Sequence, residues 1–277
     1  MFESLLRIPS SLLQNRYLIR QLTWRDITGR YRGSAVGLLW SFLTPLVMLA
    51  MYTLVFGVMF QARWNAVAPE RAAVLADGHG SFALILFVGL ILHGFLSECI
   101  SRAPTLILGN ANLVKRVVFP LEILGWSTIG SALFHSAVSF VALLAIYTLM
   151  QGTIQWTVVL LPVVLVPLIL LTLGLVWFLS SVGVFLRDIG QVIPPLMTLL
   201  LFLSPILFPA SSIPEPLRGL LLLNPLTIPV EQARALVIWG VMPDWGILAA
   251  YTIVAALVAW GGLTWFNRTR SAFADVM

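Results

Sequence analysis

The fold this sequence predicts is an all-α membrane protein. It has six transmembrane helices, an N-terminal amphipathic interface helix, and short re-entrant or interfacial helices between spans five and six. Three observations carry that prediction. Hydrophobic residues fill 60% of the 277 positions and charged residues only 10%, a balance that excludes an ordinary soluble domain. Two stretches, 33–62 and 123–186, hold no formal charge. As single helices they would run about 45 and 96 Å at roughly 1.5 Å per residue, against a hydrocarbon core of about 30 Å. The 16 basic residues are also unevenly placed: twelve fall on segments that alternation puts on one side (six before the first span, three within 102–122, then Arg187, Arg268 and Arg270), leaving four on the other. That asymmetry makes the first side cytoplasmic, with both termini on it.

Residues 1–35 read as cytoplasmic surface helices. Pro9-Ser10-Ser11 can start the first, with Leu12, Leu13, Tyr17, Leu18 and Leu22 apolar and Arg16 and Arg20 four apart. Thr23-Trp24-Arg25-Asp26 has capping-box spacing, which predicts that a helix restarts there. An Arg-rich helix carrying Trp and Leu belongs in the interface plane, either as a simple anchor or as a gate beside a docked subunit. No short apolar core with a small-residue cleavage site occurs in these residues, so the first span is expected to stay in the mature protein. That span covers 36–60, and a polar loop follows at 61–81. The second, 82–97, closes at Glu98 and Arg102, because a charge at the bilayer centre costs about 2.5–3.5 kcal/mol. The segment 102–122 returns to the basic side, and its Leu, Val and Phe residues call for a partner surface.

Spans three and four are expected at 123–149 and 157–186, divided by Gln151-Gly152-Thr153-Ile154-Gln155-Trp156; Pro162 and Pro167 fall in the fourth. Arg187-Asp188-Ile189 makes a turn on the basic side, and 192–208 supplies a fifth span broken by Pro194, Pro195 and Pro205. Residues 209–245 are too interrupted by Pro, Gly and charge to cross cleanly, so they read as interfacial or re-entrant helices. The sixth span is 246–266, and 267–277 form a cytoplasmic tail.

Several chemistries are excluded. The net charge of +5 is distributed beside spans and is explained by topology, not by a nucleic-acid face. The lone Cys99 forms no internal disulfide, and His79, His93 and His135 lack metal-ligand spacing. No Gly-x-x-x-x-Gly-Lys-Ser/Thr loop occurs, and no ionisable residue falls securely in mid-span apart from His93 and His135. The chain therefore reads as a pathway and not as an energy source or an enzyme. Trp40, Phe42, Tyr52, Phe56 and Phe202 are candidate channel-lining aromatics on which sugar rings could stack, with lipid-facing or core packing as the alternative.

The motifs, taken in order, resemble a known family. They are Tyr31-Arg32-Gly33-Ser34 leading into Gly37-Leu38-Leu39-Trp40-Ser41-Phe42-Leu43-Thr44-Pro45, then Asn112-Leu113-Val114-Lys115-Arg116-Val117-Val118-Phe119-Pro120, Arg187-Asp188-Ile189, Ser204-Pro205-Ile206, Asn224-Pro225 and Phe273-Ala274-Asp275. Together they resemble permease subunits of ABC-2 exporters, in the branch that exports O-antigen, capsule and teichoic-acid polysaccharides. The resemblance covers essentially the whole chain. It implies a homodimer in the bacterial inner membrane, joined to two cytosolic ATPase subunits that bind the ATP and Mg, with no cofactor in this chain. It also implies that Asn112, Leu113, Val114, Lys115, Arg116, Phe119 and Pro120 contact the ATPase. Arg25, Arg30, Tyr31 and Arg32 would form the substrate gate, the arginines attracting the pyrophosphate of a lipid carrier. Two rivals stay open: a permease for a drug or small lipid, and a membrane-embedded enzyme of lipid-linked sugars, which would need Glu98, Glu122 and His93 to converge.

Overall fold

The computed structural model describes residues 9–59, 81–114, 119–209, 219, 221 and 223–276, and no strand occurs among them. Residues 9–14 and α1 (Arg16–Arg30) form a nearly unbroken helix. Thr23 does not restart it. Its side chain instead meets the backbone of the helix beneath, where a Cβ added at Gly130 would lie 2.7 Å from Thr23 Oγ1. Packing, not capping, uses the hydroxyl residue. Ile19 and Ile27 are buried on this face while Arg16, Arg20 and Arg25 are exposed.

The first apolar stretch is not one uniform helix. A 3₁₀ turn at Gly37–Leu39 leads into α2 (Trp40–Tyr52), which continues as a π-helical turn at Thr53–Met59. Helix α3 (Ser81–Leu106) is longer than the expected span and runs past 97, through Glu98 and Arg102. The charge does not end the helix because two arginines neutralise it. Helix α4 (Ile123–Gln151) stops at Gly152, whose φ of 76° permits the left-handed cap that closes onto Thr148 O at 2.8 Å. Helix α5 (Leu161–Phe185) carries Pro162 in its first turn, where the missing N–H has no helical partner to lose.

The expected fifth span, 192–208, is not continuous. Helix α6 (Ile189–Phe202) has 14 residues, about 21 Å of rise. The chain then turns at 203–208, where the residue before Pro205 is biased away from helix. The described residues thus hold five helices long and apolar enough to cross a membrane, not six, with α6 a shorter apolar one. Helix α7 (Thr227–Val237) lies in the broken region, and α8 (Trp245–Thr269) begins at Asp244, whose carboxylate accepts from Gly246 N and Ile247 N at 3.0 Å.

A continuous core joins α3, α4, α5 and α7. Backbones approach closely where glycine allows it, as expected when lipid supplies no hydrophobic drive between helices. A Cβ at Gly262 of α8 would lie 2.1 Å from Gly174 O of α5, and one at Gly183 of α5 would lie 2.1 Å from Pro104 O of α3. Helix α1 lies along α4, α2 against α4 and α3, and α6 against α3. That arrangement brings one end of α1, α3 and α4 together.

Candidate functional site

Four charges converge where α1 meets α3 and α4. Arg30 donates to Glu98 Oε1, and Arg102 Nη1 lies 3.7 Å from the same oxygen. Arg102 Nη2 reaches Asp26 Oδ2 at 3.5 Å, and its Nη1 donates to Ser131 Oγ at 3.3 Å. Arg25 pairs with Asp26 at 3.5 Å but stays exposed, as does Arg32. Arg25, Asp26, Gly29, Arg30 and Arg102 line an open cleft of about 490 Å³. Tyr31 stacks on His135 with ring centroids 5.9 Å apart and its hydroxyl 3.4 Å from Nε2. Burial, with Glu98 adding in the same direction against Arg30, raises the pKa of the phenol, which keeps its proton.

A second cavity of about 360 Å³ adjoins this cluster through Glu98. Thr44, Pro45, Met48 and Tyr52 of α2 form one wall, His93, Gly94, Phe95 and Glu98 of α3 another, and His135, Ser136 and Ser139 of α4 a third. Of the five aromatics singled out from sequence, Tyr52 alone is among its lining residues. Phe56 packs on Phe82 at 5.6 Å, while Trp40, Phe42 and Phe202 lie exposed on the outer surface. Asp26, Gly94, Arg102, His135, Ser136 and Ser139 were not among the sequence-derived candidates. Charges at span edges could have flagged Asp26 and Arg102, but the others gain significance only from the packing of α3 on α4. Glu98 and His93 share this cavity, whereas Glu122 does not. Glu122 pairs with Arg270 at 3.3 Å instead, so the acidic convergence an enzyme would need does not form.

The segment expected to meet an ATPase is held from several directions. Leu113 and Val114 end a short helix, Ala111–Val114, and pack partly on the core, as does Phe119; Asn112 is exposed and Pro120 half-buried. Lys115 and Arg116 lie outside the described residues. Arg270 Nη2 donates to Phe119 O at 3.0 Å, and Trp177 Nε1 donates to Glu122 O at 3.0 Å. The tail is anchored by Phe273, which is fully buried against Phe266.

The ABC-2 type transporter family model matches residues 17–238, which is most of the chain and includes both cavities. The chain belongs to that family. It is 29% identical to the O-antigen export system permease protein RfbA of Myxococcus xanthus over 273 residues, 98% of this chain and 99% of the relative. A Klebsiella pneumoniae protein of the same name is 23% identical over 94% of this chain and 95% of its own length. The polysialic acid transport protein KpsM of Escherichia coli is 27% identical over 87% and 90% respectively. The family read from the ordered motifs is therefore the family that most of the chain matches, and its relatives are transporter subunits.

Proposed function

We propose that this chain is the permease subunit of an ATP-driven exporter that moves a lipid-linked polysaccharide, O-antigen being the first candidate, across the bacterial inner membrane. The observation that carries the reading is a basic cleft opening beside a cavity that joins polar side chains to aromatic and aliphatic ones, in a helical bundle similar along its length to polysaccharide export permeases. Arg25, Arg30 and Arg32 draw the anionic pyrophosphate of the carrier to the cytoplasmic end of the bundle, with Tyr31 beside them. Two copies enclose the channel, and the exposed rings of Trp40, Phe42 and Phe202 face it. Both termini are cytoplasmic, and α6 with residues 203–208 completes the sixth crossing.

Energy comes from two cytosolic ATPase subunits that hold ATP and Mg and dock on residues 112–120 and the N-terminal helix. Arg270 and Trp177 hold the end of that segment, so a push on it is passed to α4, α5 and α8 together. Deletion of the gene tests the reading. Glycan trapped inside the cell, restored by this chain but not by Lys115→Glu/Arg116→Glu, is the expected result. Normal surface glycan after deletion discards the polysaccharide and leaves a drug or small lipid as cargo.

A further inference from the structure

Gly94 stands in the middle of α3, where glycine weakens a helix relative to alanine. Several helical glycines are explained by close approach, since a Cβ at Gly89, Gly125, Gly174, Gly183 or Gly262 would lie 2.1–2.9 Å from a neighbouring atom, whereas Gly29 and Gly261 meet nothing and line neither this cavity nor a helix contact. A Cβ at Gly94 would meet nothing within 4 Å, and Gly94 lines the cavity of about 360 Å³. What that glycine keeps open is space, not a helix contact.

His93 and Glu98 bring polar groups to the space, while the Ser139 hydroxyl already donates to His135 O at 2.9 Å. His93 Nε2 lies 2.9 Å from Met197 O; a carbonyl only accepts, so Nε2 carries the proton and Nδ1 of the neutral ring is an acceptor. His135 meets Tyr31 through Nε2, and its Nδ1 is buried with no hydrogen-bond partner. Ser139 and Glu98 add an alcohol and a carboxylate, while Tyr52 and Phe95 add aromatic rings. Pro45, Met48, Phe87, Leu90, Ile91 and Leu201 make much of the lining apolar, but an acyl chain would still leave His93 Nδ1 and the Glu98 carboxylate against hydrocarbon, at a desolvation cost. A pyranose would not, because its rim of hydroxyls pairs with these groups while its C–H faces meet the rings. The volume is at the small end of ligand pockets and suits one sugar. Glu98 also reaches Arg30 and Arg102, so a sugar here would sit beside the basic cleft.

The geometry points to a sugar-ring subsite in this cavity, holding the lipid-proximal sugar of the glycan while the adjacent arginines face its pyrophosphate. The subsite rests on the export reading above. The test uses the native host. Gly94→Phe should fill the space and trap glycan inside at unchanged membrane abundance. Independently, Gly94→Cys in a Cys99→Ser background is alkylated with a membrane-permeant maleimide. Labelling should be about tenfold slower in cells making the lipid-linked glycan than in cells lacking the first sugar transferase, the protection given by a site about nine-tenths occupied. A control, Leu257→Cys on the exposed face of α8, should label equally in both.

Equal labelling of Gly94→Cys in the two strains, whether fast or slow, overturns the subsite, slow labelling in both assigning the cavity to lipid. So does normal export by Gly94→Phe. If Gly94→Phe fails to accumulate, the alkylation decides alone. Normal surface glycan after gene deletion would instead overturn the export reading itself.

Discussion

Two clusters of charge hold this molecule, and they are built on opposite principles. Where α1 meets α3 and α4, Asp26, Glu98, Arg102 and Arg30 have side chains 15, 18, 35 and 40% exposed. Their bonds are shared: Glu98 serves two arginines, and Arg102 serves two carboxylates and Ser131. In the broken region, Arg234 of α7 is 0% exposed. Its guanidinium donates to Ile85 O at 3.0 Å, Pro205 O at 2.5 Å and Ile206 O at 2.9 Å, with Glu231 Oε1 at 3.1 Å. Redundant, half-wet bonds can exchange partners as helices shift. A dry cation that satisfies three carbonyls cannot, since any shift strands them. The first arrangement suits a mouth that rearranges, the second a fixed peg that keeps the irregular segment 203–208 on α3.

The largest effect should follow from pulling the peg. Arg234→Leu removes the side-chain donor from three buried carbonyls; Ile85 O keeps its place in the helical ladder of α3, so the loss falls on Pro205 O and Ile206 O, at about 1–3 kcal/mol for each unsatisfied group. Loss of most folded protein is expected, read as the temperature of aggregation in detergent by size-exclusion chromatography. Glu231→Gln is the control. Glu231 is 43% exposed, so its loss should cost under about 1 kcal/mol. If Arg234→Leu were as mild as Glu231→Gln, the contrast between a fixed and a movable end would be gone.

That peg could not be read from the chain. Arg234 counted as one more base outside the spans, because nothing local links position 234 to 85 and 205. The long helices were legible, since a charge-free stretch longer than a bilayer has few other solutions. The fifth apolar stretch is less regular than its apolarity suggests: Pro205 marked a break, but that the helix already ends at Phe202 is set by the turn at 203–208. Thr23 misled in the opposite way: capping-box spacing is a local signal, and here burial against Gly130 took the threonine. The two cavities were half legible. Charge alone singled out Arg25, Arg30 and Arg32, and of these Arg25 and Arg30 line the cleft. His93 and His135 belong to different helices, and the packing of α3 on α4 is what makes them neighbours of one cavity.

A middle-sized effect sharpens the comparison by measuring exchangeability directly. Glu98→Gln removes the negative charge shared by Arg30 and Arg102, yet Arg102 keeps Asp26 and Ser131. A double-mutant cycle of Glu98→Gln with Arg30→Gln should therefore give a coupling of about 0.5–1 kcal/mol in thermal unfolding. A value well above that would mean the mouth is pinned as rigidly as the region around Arg234, and the division of labour would fail.

The smallest effect is expected at Arg25, and its smallness is informative. The side chain is 58% exposed and touches Asp26 at 3.5 Å, while Asp26 retains Arg102. Arg25→Ala should shift stability by less than about 0.5 kcal/mol. If the arginine is present to draw an anionic carrier, its loss should still slow glycan export, and the difference from wild type should narrow as salt screens the attraction. Stability and export would then separate at one residue. If both stayed at wild-type values at low salt, the cleft would lose Arg25 as a recruiting charge, leaving Arg30 and Arg102, which are tied to Glu98, as its working cations.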